Sequence, residues 1–144
     1  MTTLYFDGAS KKNPGKSGYG FIIKVNGATI LEGHGHISHA TNNEAEYMGL
    51  IQGLKELSEI DNSSEELTIR GDSSLVINHM NKSWKIKAHN LIPLNQQANK
   101  NLDALKSRYK KIVFEYIPRN INFEADLLAN KGVIDLNYNV VRLI

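Results

Sequence analysis

The chain has 144 residues, a formal net charge of +2, 41% hydrophobic residues and no cysteine. That length suits about one domain, and the apolar fraction is too high for a disordered chain. The lack of cysteine excludes a disulfide framework or a thiolate metal site, and no apolar run approaches the ~20 residues of a membrane span.

The first residues, TTLYFD, have the composition of a strand. GASKKNPGKSG follows, dense in turn formers, and the dipeptide Asp7-Gly8 predicts that the strand stops there. YGFIIKV and ATILEGHGHI are two further strands. Asn26-Gly27 between them is a strong hairpin signal, so the first three strands form an antiparallel meander. The period then changes. Tyr47, Leu50, Ile51, Leu54 and Leu57 mark one face of a helix, and Thr41 with Glu44 fits the capping box that opens it. ELTIRGD is a short strand, and Ser73 caps a helix over SLVINHM. NLIPLNQQANKNLDALKSRY predicts a second long helix starting near Pro93. KIVFEYI is a strand ended by Pro118, and FEADLLANKG is a last helix closed by Gly132 at a C-cap position. Residues 1–132 thus form the domain. The tail, 133–144, is apolar enough to dock on it, but its sequence assigns it no element. The order predicts an α/β fold: a mixed five-stranded sheet, antiparallel over strands 1–3 and parallel over strands 4–5, flanked by helices.

Charge is unevenly spread. From Lys82 to Lys111 there are eight Lys or Arg and one acid, Asp103, whereas Gln52 to Asp72 is acidic. A basic segment of this kind suits a polyanion partner, and equally a solvated helix face.

Four acids sit where acids are costly. Asp7 ends an apolar strand, and a charge carried toward a core must be paired or bound to a metal. Glu46 lies on the helix stripe with Leu50, Asp72 at the carboxyl end of the fourth strand, and Asp126 in the first turns of the last helix. Open α/β sheets place ligands at strand carboxyl ends. Taken singly, each acid has a plain explanation in turn chemistry, an ion pair or a helix dipole. If they converge, they repel one another, and divalent cations relieve that repulsion. Oxygen ligands without cysteine select Mg²⁺ or Mn²⁺. Two such ions roughly 3.5–4 Å apart clamp the attacking and leaving oxygens of a phosphodiester displacement.

YFDGASKKNPGKSGYG, TNNEAEY, IRGDSSLV and IPRNINFEADLLANKG, in this order and spacing, resemble type 1 ribonuclease H over residues 2 to about 132. The resemblance implies that Asp7, Glu46, Asp72 and Asp126 bind two Mg²⁺ ions, with Mn²⁺ as an alternative. It implies an endoribonuclease that cuts the RNA strand of an RNA/DNA hybrid and leaves 5′-phosphate and 3′-hydroxyl ends. It places Asn13 and the backbone around Gly8 to Ser10 near the RNA and its 2′-hydroxyls, and Thr41, Asn42 and Asn43 at the minor groove and the DNA-strand phosphate. A wide minor groove displaying 2′-hydroxyls is how A-like helices are read.

The chain departs from the family pattern at two places. Many members carry an inserted lysine-rich helix, where this one has only Lys82-Ser83-Trp84-Lys85-Ile86-Lys87, as in short forms without a basic protrusion. Trp84 either stacks on nucleic acid beside Lys85 or belongs to the core. Many members also have a histidine in the loop before the last aspartate; here Arg119 is the nearest candidate. It stays protonated, so it acts through charge rather than as a general acid. His34, His36 and His39 invite a zinc reading but lack a fourth ligand. A cytoplasmic monomer without membrane or obligate protein partner is expected. The rivals are another nuclease of the same fold and a nucleic-acid-binding module without activity.

Overall fold

The computed structural model describes residues 1–143. Alternating apolar residues drive three long strands: β1 (Thr2–Ser10), β2 (Gly15–Val25) and β3 (Ala28–Ala40). They pair antiparallel, with Phe6 opposite Phe21 and Ile23 opposite Leu31. Asn26 and Gly27 both have positive φ, 50° and 84°, as a primed hairpin turn requires. β4 (Ser64–Gly71) runs parallel to β1, and β5 (Tyr109–Tyr116) parallel to β4.

The sheet has six strands, one more than predicted. Tail residues Asn139–Arg142 form β6, antiparallel to β3, giving the order β5-β4-β1-β2-β3-β6. A second anchor holds the tail. The ring centroid of Tyr138 lies 6.4 Å from Tyr19 and 6.5 Å from Phe21, and its hydroxyl donates to Glu56 Oε2 at 3.0 Å.

α1 (Asn42–Glu59) packs on one face of the sheet, burying Leu50, Leu54 and Leu57 against Leu4 and Phe21. Each such side chain contributes about 1.5–3 kcal/mol by leaving water. Its capping box forms as predicted: Glu44 N–H donates to Thr41 Oγ1 (3.1 Å), and Thr41 N–H donates to Glu44 Oε1 (2.9 Å). α2 (Ser74–Met80) is capped by Ser73, which accepts from Val76 N–H at 3.2 Å. α3 (Ile92–Asp103) begins at Pro93 within one residue but stops well short of the predicted end. Arg108, beyond it, donates to Leu57 O, Ser58 O and Ile60 O and so closes the end of α1.

α4 (Phe123–Ile134) lies on the opposite face, over Gly18 and Gly20. Gly132 does not cap it; the helix runs on through Gly132 to Ile134. A Cβ at Gly132 would lie 2.1 Å from Gly35 O, so this glycine lets the helix backbone touch β3. Among the described residues no helix is long and apolar enough to cross a membrane.

Candidate active site

β1 and α1 meet with no side chain between them. A Cβ on Gly8 would lie 2.3 Å from Glu46 N, and one on Gly49 would lie 2.6 Å from Asp7 O. Two glycines therefore set the separation of the elements that carry Asp7 and Glu46. This also corrects the turn reading of Asp7-Gly8. β1 continues to Ser10, and Asp7 pairs with Gly20 inside the strand. Gly8 is there for close approach rather than for a turn.

Asp7 is 3% exposed and Glu46 8%. Asp72 follows Gly71 directly at the end of β4, half-buried, where the Ser73 cap turns the chain into α2. One carboxylate oxygen from each of Asp7, Glu46 and Asp72 lies within 4.8 Å of the other two. Asp126 falls outside that tight trio but lines the same cleft, of about 480 Å³. The start of α4 is fastened to β1 by Asn122, which donates from Nδ2 to Phe6 O (2.9 Å) and accepts from Asp126 N–H (3.1 Å). Arg119 projects from the preceding loop, with Nη2 3.9 Å from Asp126 Oδ1.

Burial dominates the electrostatics. It pushes the Asp7 carboxyl up to about 7, with Asp72 and Asp126 adding repulsion and the Gly8 N–H bond at 2.9 Å opposing it. Glu46 is raised well above its usual range by burial and then by the charge of Asp7. Asp72 is raised by burial and held back by Arg119. Glu46 Oε2 is buried with no hydrogen-bond partner. A raised, unpartnered carboxylate beside two others, in an oxygen-only donor set, fits a hard divalent cation.

The expected substrate residues divide into two places. Gly8, Ser10 and Asn42 line the cleft with the four acids and Arg119. Asn13 and Thr41 adjoin it: Asn13 Oδ1 accepts from Asn42 N–H at 3.0 Å, and Thr41 caps α1. Asn43 is exposed beside them. Trp84 and Lys85 lie elsewhere, in a separate cleft of about 550 Å³ with Leu75, His79 and Leu91. Trp84 is 49% exposed, so it is not core.

The basic segment is partly spent on structure. Arg108 caps α1, Lys106 pairs with Asp103 (2.7 Å) and Lys110 with Glu65 (3.1 Å). Two site residues were not singled out from the sequence. Asn122 anchors α4, and its place just before the helix was the available signal. Asn130 lines the cleft one turn after Asp126, on the same helix face.

The reverse transcriptase-like family matches residues 5–132, a span running from within β1 to within α4 and holding all four acids. Fold, acid cluster and family match together define the class. A bifunctional protein of Mycobacterium tuberculosis is 40% identical over 129 residues, covering 88% of this chain and 34% of that protein. The chain therefore spans about a third of the length of the mycobacterial relatives it matches. Ribonuclease H of Pseudomonas putida is 33% identical over 137 residues, covering 90% of this chain and 91% of that protein. The structure of LC11-RNase H1 in complex with an RNA/DNA hybrid superposes with a TM-score of 0.81 at 32% identity, covering 92% of this chain and 96% of that one. The chain belongs to the ribonuclease H family, among proteins of type 1.

Proposed function

We propose that the chain is an endoribonuclease that cuts the RNA strand of RNA/DNA hybrids and leaves 5′-phosphate and 3′-hydroxyl ends. The observation that carries this reading is the trio Asp7, Glu46 and Asp72, with the buried, unpartnered Glu46 Oε2 among them. Asp7, Glu46, Asp72 and Asp126 would hold two Mg²⁺ ions, or Mn²⁺ in their place. Such ions supply the positive charge that activates a water and stabilises the leaving oxygen in phosphodiester hydrolysis.

The chain's own residues do the rest. Asp7 and Glu46 are catalytic through the rigid spacing that Gly8 and Gly49 impose. Arg119, exposed beside Asp126, neutralises charge on the cleaved phosphate and assists its release. Gly8 and Asn13 approach the RNA, while Thr41, Asn42 and Asn43 present amide and hydroxyl groups to the minor groove. These groups bind sugars and phosphates without reading sequence. Trp84, Lys85 and Lys87 at the second cleft, with Lys82 just before them in the chain, hold the DNA strand by stacking and by charge.

Residues 1–132 carry every one of these groups, and 133–144 is an accessory segment of the same domain. All four acids come from one chain, so a monomer suffices. A chain without cysteine suits the reducing cytoplasm. The test is product analysis on a hybrid with internally labelled RNA. Fragments bearing 5′-phosphate support the reading, and fragments ending in 2′,3′-cyclic phosphate defeat it.

A further inference from the structure

The Ser10 hydroxyl at the end of β1 is already committed. Ser10 Oγ donates to Ala40 O (3.1 Å), also lies against Lys12 O, and accepts from Ser17 Oγ (3.0 Å). It ties the hairpin tip to β3 and has little left for a substrate.

Beside it runs a groove of about 250 Å³. Ala9, Ser10 and Lys11 of the hairpin form one wall, and Asn130, Val133 and Ile134 of α4 form the other. Ala9, Ser10 and Asn130 also line the acid cleft, so the groove opens directly out of it. Asn130 Nδ2 donates to Asp126 O at 2.9 Å. That bond fixes the amide plane. It leaves one amide N–H and Oδ1 without partners among the described residues. A donor beside an acceptor suits a hydroxyl, which is both, better than a phosphate, which only accepts. Lys11, exposed on the facing wall, offers the cation that a phosphate needs, and Ile134, also exposed, offers an apolar edge for a sugar.

We propose that this groove binds the ribose–phosphate of an RNA nucleotide flanking the scissile linkage, with Asn130 recognising its 2′-hydroxyl and Lys11 its phosphate. The proposal rests on the hybrid-cleaving reading above and deepens it. It makes Asn130 a specificity-determining residue for the RNA strand, because the 2′-hydroxyl is what separates RNA from DNA at one position.

The experiment is a cycle between protein and substrate. A hybrid with one dominant cut site is made all-ribo, and then with a single 2′-deoxy nucleotide at each flanking position in turn. Wild type and Asn130→Ala are compared on the set. At one position the 2′-deoxy change should lower wild-type kcat/KM roughly tenfold, the scale of one hydrogen bond to a polar group otherwise left unpaired. Asn130→Ala should lose about the same factor on the all-ribo hybrid, mainly in KM, and nothing further from that deoxy substitution. Full additivity of the two losses, or a variant as good as wild type, overturns the proposal. A variant that merely disturbs Asp126 would keep the deoxy penalty unchanged, which also counts against it. Failure of wild type to cut any hybrid would instead overturn the functional reading itself.

Discussion

Asp7 and Glu46 hold carboxylate oxygens within 4.8 Å of each other in a buried position. Burial raises both, Asp7 from 3.8 to about 7. A carboxyl raised in the folded state stabilises the fold while protonated, fully below its ordinary value, and that contribution is lost as pH climbs through the raised value. For Asp7 the window runs from about pH 4 to about pH 7. In EDTA at pH 8, Asp7→Asn should therefore be more stable than wild type, by roughly 2 kcal/mol or 4–8 °C in Tm. The gap should close toward pH 4, and Mg²⁺ should stabilise wild type more than the variant. Calorimetry across pH, with and without EDTA, checks this; a less stable Asp7→Asn at pH 8 would contradict it.

Gly8→Ala should damage both fold and site. Its methyl would meet Glu46 N at 2.3 Å, and backbone must move to admit it. Overpacking of this kind costs about 1–3 kcal/mol. Any folded fraction should also lose rate, because the Asp7–Glu46 spacing opens. Tm and kcat measured on the same preparation separate the two effects; an unchanged Tm with unchanged kcat would show that α1 can shift freely.

No histidine lines the acid cleft among the described residues, and Arg119 is its one cation. The rate should show no descending limb below about pH 9, since no side-chain acid of ordinary pKa near 6.5 lines the cleft. Arg119→Ala should slow turnover roughly ten- to a hundredfold, the scale of one charge-assisted contact. Arg119→Lys should recover part of that loss if charge alone matters. The check is kcat against pH for all three proteins. A bell-shaped wild-type profile, or an Arg119→Ala enzyme at full rate, removes Arg119 from the mechanism.

Salt dependence reports on the second cleft. Arg108, Lys106 and Lys110 have partners within the fold, so Lys82, Lys85, Lys87 and the hairpin lysines remain for phosphates. The logarithm of the association constant against log salt should have a slope on the order of −3 to −4. Trp84→Ala should weaken hybrid binding roughly tenfold at fixed salt, through loss of stacking. A slope near −8 would place the Lys100–Lys111 stretch on the substrate.

What the sequence disclosed follows how local each signal is. The capping box at Thr41 and Glu44 and the Asn26-Gly27 turn are contained within a few residues, and both formed as read. The position of Asp7 was legible as an acid on an apolar run. Its setting was not, because Gly8 reads as a turn residue, and its purpose appears only when α1 crosses it. Gly132 misled in the same way, since a glycine near a helix end looks like a cap whether or not a strand lies beneath it. β6 is four residues long and pairs with a strand about a hundred residues earlier, so nothing local marks it. Asn122 was visible only as a residue just before α4; its anchoring role was not, because its partner, Phe6 O, is brought near only by the fold.

The most direct test presents one labelled RNA in three forms: alone, paired with complementary RNA, and paired with complementary DNA, each with Mg²⁺ and with EDTA. The expected result is cleavage of the DNA-paired RNA only, in Mg²⁺ only, and its loss in Asp7→Asn despite retained hybrid binding. Comparable cleavage of the RNA alone, or undiminished cleavage in EDTA, would contradict the account.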